Sequence, residues 1–230
     1  MKLPESELYE KSLRYWPYKK ALRIVTEYIV NRAPEHGSLL DIMCGPGYLL
    51  GEIVKKRKDL QLTGVDIDKR YVTHGRETYP DTSFIKGDVL RWRPKSRFDI
   101  VVCTGALHHI SYGNQELAVS NISTMVKPGG FAIISDCYID DYSDEIERKL
   151  AAEKLGHEYL IATIRNNAPN KVIAWTVGIL SNDVLKKEFK TSLAKRLPVI
   201  KKHFGSVKTF KTWPEAESEY GDYIHICYPT

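Results

Sequence analysis

The sequence predicts an α/β protein built on a doubly wound, mostly parallel sheet of seven strands, with helices on both faces and a helical insertion after strand five. Short apolar runs alternate with helical patterns from residue 38 onward. A glycine turn, Gly45-Pro46-Gly47, follows the first run, and a second run ends on Asp66, nineteen residues after Gly47. Strand, glycine turn, helix, strand and terminal acid together make half of a nucleoside-binding site.

The first predicted element is a helix over residues 17–32, where apolar side chains recur at helical spacing. A group of aromatic residues precedes it, and they either pack as core or form a lid over a ligand. Further strands are predicted near residues 38–43, 61–66, 83–86, 98–103 and 130–135. Helices are predicted between them near residues 47–58, 69–79 and 115–126. The tetrapeptide Lys127-Pro128-Gly129-Gly130 is expected to end the last of these helices.

The pattern changes after residue 137. A helix is predicted over residues 146–164, and Ser181-Asn182-Asp183 resembles the N-cap of a basic helix that runs to His203 with a break at Pro198. The last two strands are predicted at residues 207–212 and 223–228. We therefore expect a single domain over 1–230, divided into the following parts: an N-terminal helical lid (1–35), a ligand-binding core (36–137), a substrate-side insertion (138–190), and the last helix and strands (191–230).

Composition excludes several classes of protein. Of the 230 residues, 43% are hydrophobic and 27% charged, which is typical of a globular protein rather than a disordered one. No apolar run approaches the roughly 20 residues of a membrane helix, and the first residues lack the apolar core of a signal peptide. A cytoplasmic location is therefore expected. The four cysteines show no C-x-x-C spacing, which argues against structural zinc and against a disulfide framework.

The positive charge is concentrated near the C-terminus. Between Val184 and Trp213 nine basic residues accompany one acid, Glu188, which gives a local charge of nine minus one, or +8. Such a segment is either a surface for nucleic acid or an acidic substrate, or the solvated face of a helix.

The glycine turn indicates what kind of nucleoside is bound. Glycines let backbone amides approach a ligand, and the helix that follows points its positive end toward it. A dinucleotide fingerprint would carry a third glycine where this chain has Leu50. A nucleoside ligand without a pyrophosphate is therefore favoured over NAD.

Five motifs in order resemble the class I S-adenosylmethionine-dependent methyltransferases, in particular the small-molecule, methyltransferase type 11/25-like group. The resemblance is strong over about residues 38–136, weak over the last two strands and nearly absent from 138–190. The motifs are Asp41 with Cys44-Gly45-Pro46-Gly47, Gly64-Val65-Asp66-Ile67-Asp68, Lys86-Gly87-Asp88-Val89, Phe98-Asp99 before the fourth strand, and Lys127-Pro128-Gly129-Gly130. The family's first turn glycine is replaced here by Met43.

The resemblance implies a Rossmann-like sheet whose last strand is antiparallel, an S-adenosylmethionine cofactor and S-adenosylhomocysteine as product. Asp66 would bind the ribose hydroxyls, and Asp88 the adenine amino group. The residues expected to contact the cofactor are Asp41, Cys44, Gly45, Gly47, Asp66, Ile67, Asp88, Val89, Cys103 and His108.

Two adjacent histidines, His108 and His109, follow the fourth strand, and Asp136 ends the fifth. Because both strand ends meet at one edge of the sheet, His109 and Asp136 are expected to form a catalytic pair, a general base with its orienting carboxylate. The same histidine pair is also frequent in this family where no base is needed. A zinc site is a weaker reading, because adjacent histidines are poor joint ligands, and no metal is expected.

The acceptor is expected under the insertion. The predicted contacts from the insertion are Tyr138, Tyr142, His157, Tyr159, Arg165 and Trp175, and those from the N-terminal side are Tyr15, Trp16 and Tyr18. An aromatic pocket suits a flat or apolar small molecule. The leading interpretation is methyl transfer to an oxygen, with a nitrogen or carbon as the second choice, of a small organic acceptor by a monomer or homodimer. The alternatives are an RNA or protein methyltransferase that docks through residues 184–212, and a binding module that keeps the cofactor but transfers nothing.

Overall fold

A computed structural model describes residues 6–230 and contains the seven-stranded sheet that the sequence predicts. The strands are β1 (Ser38–Ile42), β2 (Gln61–Asp66), β3 (Ser83–Lys86), β4 (Phe98–Thr104), β5 (Val126–Tyr138), β6 (Ser206–Trp213) and β7 (Gly221–Tyr228). They lie in the order β3-β2-β1-β4-β5-β7-β6. The first five are parallel, and β7 runs antiparallel between β5 and β6. The predicted fold class, with its antiparallel last strand, is confirmed.

Alternation along the strands divides the core into two layers. Leu39 of β1 and Ile100 of β4 lie on one face with the helices before and after β1, whereas Leu40 and Val101 lie on the other face. Successive side chains of a strand point to opposite faces, so two consecutive leucines fill both layers. The sheet is therefore buried on both sides, which explains the continuous apolar runs in its central strands.

The helices predicted between the first strands are present, but they begin and end at residues that differ from the predicted ones. They are α1 (Ser6–Leu13), α2 (Lys19–Arg32), α3 (Tyr48–Val54), α4 (Lys69–Thr78), α5 (Tyr112–Thr124), α6 (Glu145–Arg165), α7 (Asn170–Val184) and α8 (Leu193–His203). A single 3₁₀ turn, Leu107–His109, follows β4. Residues 127–130 do not form a turn before β5. They belong to its irregular first part, where the register with β4 shifts between Phe98 and Ile100.

Two predictions about the C-terminal helices are wrong. Ser181-Asn182-Asp183 lies in the last turns of α7 and does not cap a helix. The cap of α8 is Ser192, whose side chain accepts a hydrogen bond from the backbone N–H of Lys195. Pro198 lies inside α8, which continues to His203 without the predicted break. Of the polar residues at 181–183 that imitate a cap signal, Asp183 instead forms an ion pair with Lys190.

The insertion is a helical hairpin. Helices α6 and α7 pack against each other, and Gly156 of α6 provides the space that Leu180 of α7 fills. The guanidinium of Arg148 is buried and donates hydrogen bonds to the backbone carbonyls of Asp183 and Val184 at the C-terminal end of α7. Within residues 6–230, no helix combines the length and the hydropathy that a membrane span requires.

Candidate active site

A pocket opens at the edge where β1, β2, β4 and β5 end, between the sheet, the N-terminal helices and the insertion. This is the edge at which open α/β sheets bind ligands. We call the part formed by the ends of β1 and β2 the cofactor half, and the part formed by the insertion and the N-terminal segment the acceptor half. The cofactor half contains Asp41, Met43, Cys44, Gly45, Asp66 and Ile67. The acceptor half contains Trp16, Tyr18, Leu155, Tyr159, Trp175, Thr176, Ile179, Leu180, Asp183, Glu188 and Lys190.

The turn after β1 is shaped by left-handed backbone at three positions. Gly45 has φ 54°, and a Cβ placed there would meet no atom within 4 Å, so its open side faces the pocket. Gly47 has φ 97°, and a Cβ there would lie 2.5 Å from the ring of Phe84. Gly47 is thus required for packing and does not line the pocket, and its predicted contact with the cofactor stays a prediction.

Met43 occupies the third left-handed position, with φ 63°. An L-residue in this region costs about 1 kcal/mol or more, a cost that glycine avoids. The family's glycine at this position therefore has a conformational reason, and the methionine of this chain keeps the conformation under strain. Its side chain packs against the core layer that contains Leu40 and also reaches the pocket wall.

Asp66 and Asp41 place two carboxylates in the cofactor half. Asp66 accepts hydrogen bonds from the backbone N–H groups of Gly45 and Asp68, both at 2.8 Å, which fixes its orientation. Asp41 is buried, and its Oδ1 has no hydrogen-bond partner. Burial and the nearby Asp66 raise the pKa of Asp41 well above its ordinary value. Burial also raises the pKa of Asp66, against the lowering effect of its two backbone donors. Both acids would gain from a ligand that brings hydrogen-bond donors or positive charge.

Of the other predicted cofactor contacts, some line the pocket and some do not. Ile67 lies in the pocket wall with 61% of its surface exposed, as expected of an apolar side chain that a flat ligand covers. Asp88 lies outside the pocket wall and accepts a hydrogen bond from the backbone N–H of Leu90. The side chains of Val89 and Cys103 are buried in the core and do not line the pocket, and their contact with the cofactor stays a prediction.

The two histidines form two separate pairs with carboxylates, and the predicted pairing of His109 with Asp136 is wrong. Asp136 Oδ1 lies 2.6 Å from Nδ1 of His108, and Asp136 Oδ2 accepts the backbone N–H of the same residue. His109 Nδ1 lies 2.6 Å from Oε2 of Glu188, in the segment after α7. The two imidazole rings are adjacent, with centroids 4.2 Å apart, and both lie in the pocket wall.

The two histidine–carboxylate pairs differ in how deeply they are buried, and burial affects the pKa values of their members. Burial would raise the pKa of Asp136, but the adjacent His108 holds it at about 2. The pKa of His108 is lowered because burial outweighs the attraction of Asp136, which favours a neutral ring at neutral pH. The hydrogen bond from His109 lowers the pKa of Glu188 in spite of its burial. The His109 side chain keeps 39% of its surface exposed, against 11% for His108.

A buried ion pair anchors the segment that carries Glu188. The Lys190 ammonium lies 2.6 Å from Oδ1 of Asp183, and both side chains are almost fully buried. Burial would lower the pKa of Lys190, but Asp183 raises it well above its ordinary value, so the ammonium stays charged. The backbone N–H of Phe189 donates to the carbonyl of His108, which joins this segment to the 3₁₀ turn.

The predicted acceptor contacts divide into two groups. Trp16, Tyr18, Tyr159 and Trp175 line the pocket, and Nε1 of Trp175 is buried without a hydrogen-bond partner. The remaining predicted contacts do not line it: Tyr15, Tyr138, Tyr142, His157 and Arg165. The Tyr138 hydroxyl is instead buried against Nε2 of His225, and Arg165 is exposed at the end of α6.

The N-terminal segment is joined to the insertion across the pocket. The indole N–H of Trp16 donates to the hydroxyl of Thr176 on α7 at 2.9 Å, and the side-chain amide of Asn166 donates to the carbonyl of Tyr15 at 2.7 Å. The Tyr18 hydroxyl donates to the carbonyl of Ser135 on β5. Residues 6–18 therefore form one wall of the pocket. Residues 1–5 of the expected 1–35 lid lie outside the described residues.

Sequence reasoning missed Glu188, Asp183 and Lys190. Glu188 was noticed only as the single acid of the basic segment, which was the available signal, because a lone acid among bases often has a specific partner. The basic segment is also less uniform than its composition suggests. Several of its bases are paired with side chains elsewhere in the fold: Lys186 with Glu145, Lys190 with Asp183, Lys195 with Asp141, Arg196 with Gln115 and Lys202 with Glu116.

Within the described part of the chain, two groups of side chains have spacing that would suit a metal ion. The ligand atoms within each group lie within 4.8 Å of one another: His108, His109 and Glu188 in one, and His108, Asp136 and Cys137 in the other. The Nδ1 atoms of both histidines are, however, already bonded to carboxylates. The arrangement is therefore best described as two histidine–carboxylate pairs.

Comparison with known proteins identifies the central part of the chain. Residues 39–130 match the family model described as "Methyltransferase domain". A dTDP-3-amino-3,4,6-trideoxy-alpha-D-glucopyranose N,N-dimethyltransferase of Streptomyces venezuelae is 29% identical over 112 residues, 48% of this chain and 46% of that protein. A carboxy-S-adenosyl-L-methionine synthase of Campylobacter lari is 26% identical over 195 residues, 75% of this chain and 78% of that protein.

The fold also agrees with that of solved structures. The crystal structure of a TehB-like SAM-dependent methyltransferase from Corynebacterium glutamicum superimposes with a TM-score of 0.60 at 15% identity, over 89% of this chain and 86% of that one. Alignment with the Streptomyces enzyme spans less than half the length of that relative. The similarity is concentrated in the core that carries the glycine turn and Asp66.

Proposed function

We propose that this chain, whose core over residues 39–130 is that of a class I S-adenosylmethionine-dependent methyltransferase, transfers a methyl group from S-adenosylmethionine to a small organic acceptor. The cofactor would lie in the cofactor half of the pocket. The acceptor would lie between the insertion at 138–190 and the N-terminal segment within 1–35, with its reactive atom near the two histidines.

One observation carries the cofactor assignment: the buried Oδ1 of Asp41 has no partner and lies beside Gly45 and Asp66 in the wall of one pocket. An unpartnered buried carboxylate oxygen costs free energy until a donor reaches it. The methionine end of the cofactor carries an ammonium group that would supply this donor. The oriented carboxylate of Asp66 has the chemistry to accept bonds from ribose hydroxyls, and the open side of Gly45 leaves room for the ligand.

The proposed chemistry is a direct displacement at the methyl carbon. A lone pair of the acceptor forms the new bond to carbon while the carbon–sulfur bond breaks, and its electron pair goes to sulfur. The main work of this chain is to hold the acceptor in line with the methyl group. The aromatic and aliphatic walls of the acceptor half exclude water from the reacting atoms.

We propose that the acceptor atom is an oxygen and that His109, oriented by Glu188, takes its proton. Nδ1 of His109 is held by Glu188 at 2.6 Å, so Nε2 is the atom available for a hydroxyl group. His109 is the more accessible of the two histidines, and its proton can pass to solvent after each turnover. His108 is buried and paired with Asp136, and its lowered pKa makes it the weaker proton acceptor. We assign His108 to the positioning of neighbouring groups.

The alternative acceptor, RNA or protein docked through residues 184–212, has less support from the described surface. Six of the nine bases in that segment have partners within the fold, and Lys190 and Arg196 are buried. Paired and buried bases are less available for contacts with phosphate groups.

A methyl-transfer assay tests the proposal. The full chain is incubated with S-adenosylmethionine labelled in its methyl group and with small phenols, sugars or bulk tRNA in parallel. We expect labelled product with one or more of the small molecules and none with tRNA. Labelled tRNA together with unlabelled small molecules would support the alternative. Tight binding of S-adenosylhomocysteine without transfer to any acceptor would identify a binding module.

A further inference from the structure

Charged side chains of the acceptor half are predominantly acidic. Within residues 6–230, Lys190 is the only lysine or arginine in the pocket wall, and Asp183 neutralises it at 2.6 Å. Glu188 lies in the same wall, and Asp136 lies directly behind His108. Three carboxylates, those of Asp136, Asp183 and Glu188, therefore accompany one ammonium group at this end of the pocket. An anionic acceptor would find no unpaired cation there.

These acids are distinct from those of the cofactor half. Asp41 and Asp66 end two central strands, whereas Asp183 and Glu188 belong to the end of α7 and the segment after it. In the proposed function, Asp41 binds the ammonium group of the cofactor and Asp66 binds its ribose hydroxyls. The negative charge near Glu188 is therefore available to the acceptor itself.

Aromatic rings form the walls next to this acidic end. Trp16 and Tyr18 come from the N-terminal segment, and Tyr159 and Trp175 come from the insertion. Leu155 and Ile179 fill the space between them. Aromatic faces and carboxylates are the two kinds of group that bind organic ammonium ions, because both present negative potential to a cation. An apolar body beside a cationic group fits both parts of the pocket.

We infer that the acceptor is a cationic amine with an apolar body, and that the pocket rejects carboxylate- and phosphate-bearing analogues. This inference rests on the proposed function and names the class of its acceptor. It is compatible with transfer to an oxygen, because the ammonium group would bind near Glu188 while a hydroxyl elsewhere on the same molecule reacts. Specificity would come from repulsion of anions as much as from attraction of the amine.

Three phenols test the inference because they share one ring and differ in the charge of the tail: tyramine, 4-ethylphenol and 4-hydroxyphenylacetate. Binding to the full chain is measured by saturation-transfer NMR and calorimetry at saturating S-adenosylhomocysteine. We expect tyramine to bind at least about tenfold more tightly than 4-hydroxyphenylacetate, with 4-ethylphenol between them. Equal or tighter binding of the acid would overturn the inference, and so would the absence of tyramine binding at about 10 mM.

Two substitutions separate the charge effect from shape. Glu188→Gln keeps the side-chain volume and should reduce the preference for tyramine over the acid to about threefold or less. Asp183→Asn leaves the Lys190 ammonium unpaired and should shift the preference toward the acid. The matched control is Glu153→Gln, an exposed site on α6 outside the pocket wall, which should leave the ratio unchanged. An unchanged ratio in both Glu188→Gln and Asp183→Asn would refute the assignment even where tyramine binds better.

The same titrations distinguish this inference from the proposed function. S-adenosylhomocysteine should bind Glu188→Gln within about twofold of its affinity for the parent chain, because Glu188 lies outside the cofactor half. Failure of S-adenosylhomocysteine to bind the parent chain would refute the proposed function. Intact cofactor binding with no charge preference among the phenols would refute only the acceptor class.

Discussion

Asp222 is a buried acid whose protonation affects the stability of the folded chain. It is fully buried at the start of β7, accepts a hydrogen bond from the Tyr159 hydroxyl on one oxygen at 2.5 Å, and has no partner for the other oxygen. Burial raises its pKa to about 8, against a value of about 3.9 in an unfolded chain. Between these values the folded chain holds a proton that the unfolded chain has lost. The stability contribution is therefore complete below about pH 4 and is lost as the pH rises toward 8.

This linkage gives a pH-dependent prediction. The free energy of unfolding of the parent chain should fall as the pH rises from about 5 to about 8, and Asp222→Asn should remove at least about 1 kcal/mol of that fall. The asparagine still accepts the Tyr159 hydrogen bond and carries no charge. Urea unfolding at both pH values measures the difference, with the exposed Asp81→Asn as the control. Equal pH slopes in the parent and Asp222→Asn would contradict the assignment.

The adjacent histidines give a prediction about turnover. His109→Gln should lower kcat/KM for the true acceptor by about 10²-fold or more, because it removes the proposed base. Glu188→Gln should act in the same direction, and the double variant should lose little more, since the pair acts as one unit. His108→Gln is the matched control and should change kcat/KM less. A larger loss in His108→Gln, measured across about pH 6 to 9, would move the base to the pair with Asp136.

At the scale of single residues, the sequence predicted some members of the pocket but not the partners of the two histidines. Motif order placed Asp41 and Asp66 together, and both line the pocket, because strand ends and turn glycines are local features. The partner of His109 could not be identified in this way, since Glu188 lies 79 residues away and reaches it only through the fold of the insertion. No local sequence pattern indicated that Asp136 would pair with His108 rather than His109. The 3₁₀ turn determines which of the two imidazoles faces the end of β5.

Among the elements, α8 shows how an incorrect cap prediction arises. Ser192 accepts the N–H of Lys195 and donates to Asp141 at 2.5 Å, so one hydroxyl both begins the helix and ties it to the segment after β5. The prediction of a cap at 181–183 failed because polar residues there continue α7 and because Asp183 pairs with Lys190. Strand positions were predicted better, since buried central strands have apolar runs that few other elements imitate.

Removal of the cap should measurably destabilise the chain. Ser192→Ala should lower the free energy of unfolding by about 1 to 2 kcal/mol, because a backbone N–H and the Asp141 carboxylate both lose a partner. The matched control is Ser120→Ala within α5, which should cause no loss since alanine favours a helix. Urea denaturation of both variants provides the comparison. A Ser192→Ala variant as stable as the parent chain would show that the cap contributes nothing.

At the scale of the whole molecule, the pocket is closed by parts of the chain that are distant in sequence. The indole of Trp16 bonds Thr176, 160 residues later, and thereby joins the N-terminal segment to the insertion above the ends of the central strands. The sequence predicted an aromatic lid or an aromatic core without deciding between them, and the lid stays a prediction. Trp16 and Tyr18 are buried in the core and also line the pocket. Only the tertiary structure could show this.

Opening of this closure should control the release of the cofactor product. Trp16→Phe keeps most of the aromatic packing and removes the hydrogen bond to Thr176, so S-adenosylhomocysteine should dissociate about five- to tenfold faster. Surface plasmon resonance measures this rate. Tyr15→Phe is the control, because the Tyr15 side chain does not line the pocket. An unchanged dissociation rate in Trp16→Phe would show that the N-terminal wall does not gate the cofactor.

The central claim is that the pocket binds the methyl donor through the acids at the ends of β1 and β2. Calorimetric titration of S-adenosylhomocysteine into the full chain, beside Asp66→Asn and the exposed control Asp81→Asn, tests it most directly. We predict one site per chain, an unchanged affinity for Asp81→Asn and a loss of at least about tenfold for Asp66→Asn. No binding to the parent chain, or equal affinity for all three proteins, would contradict the account.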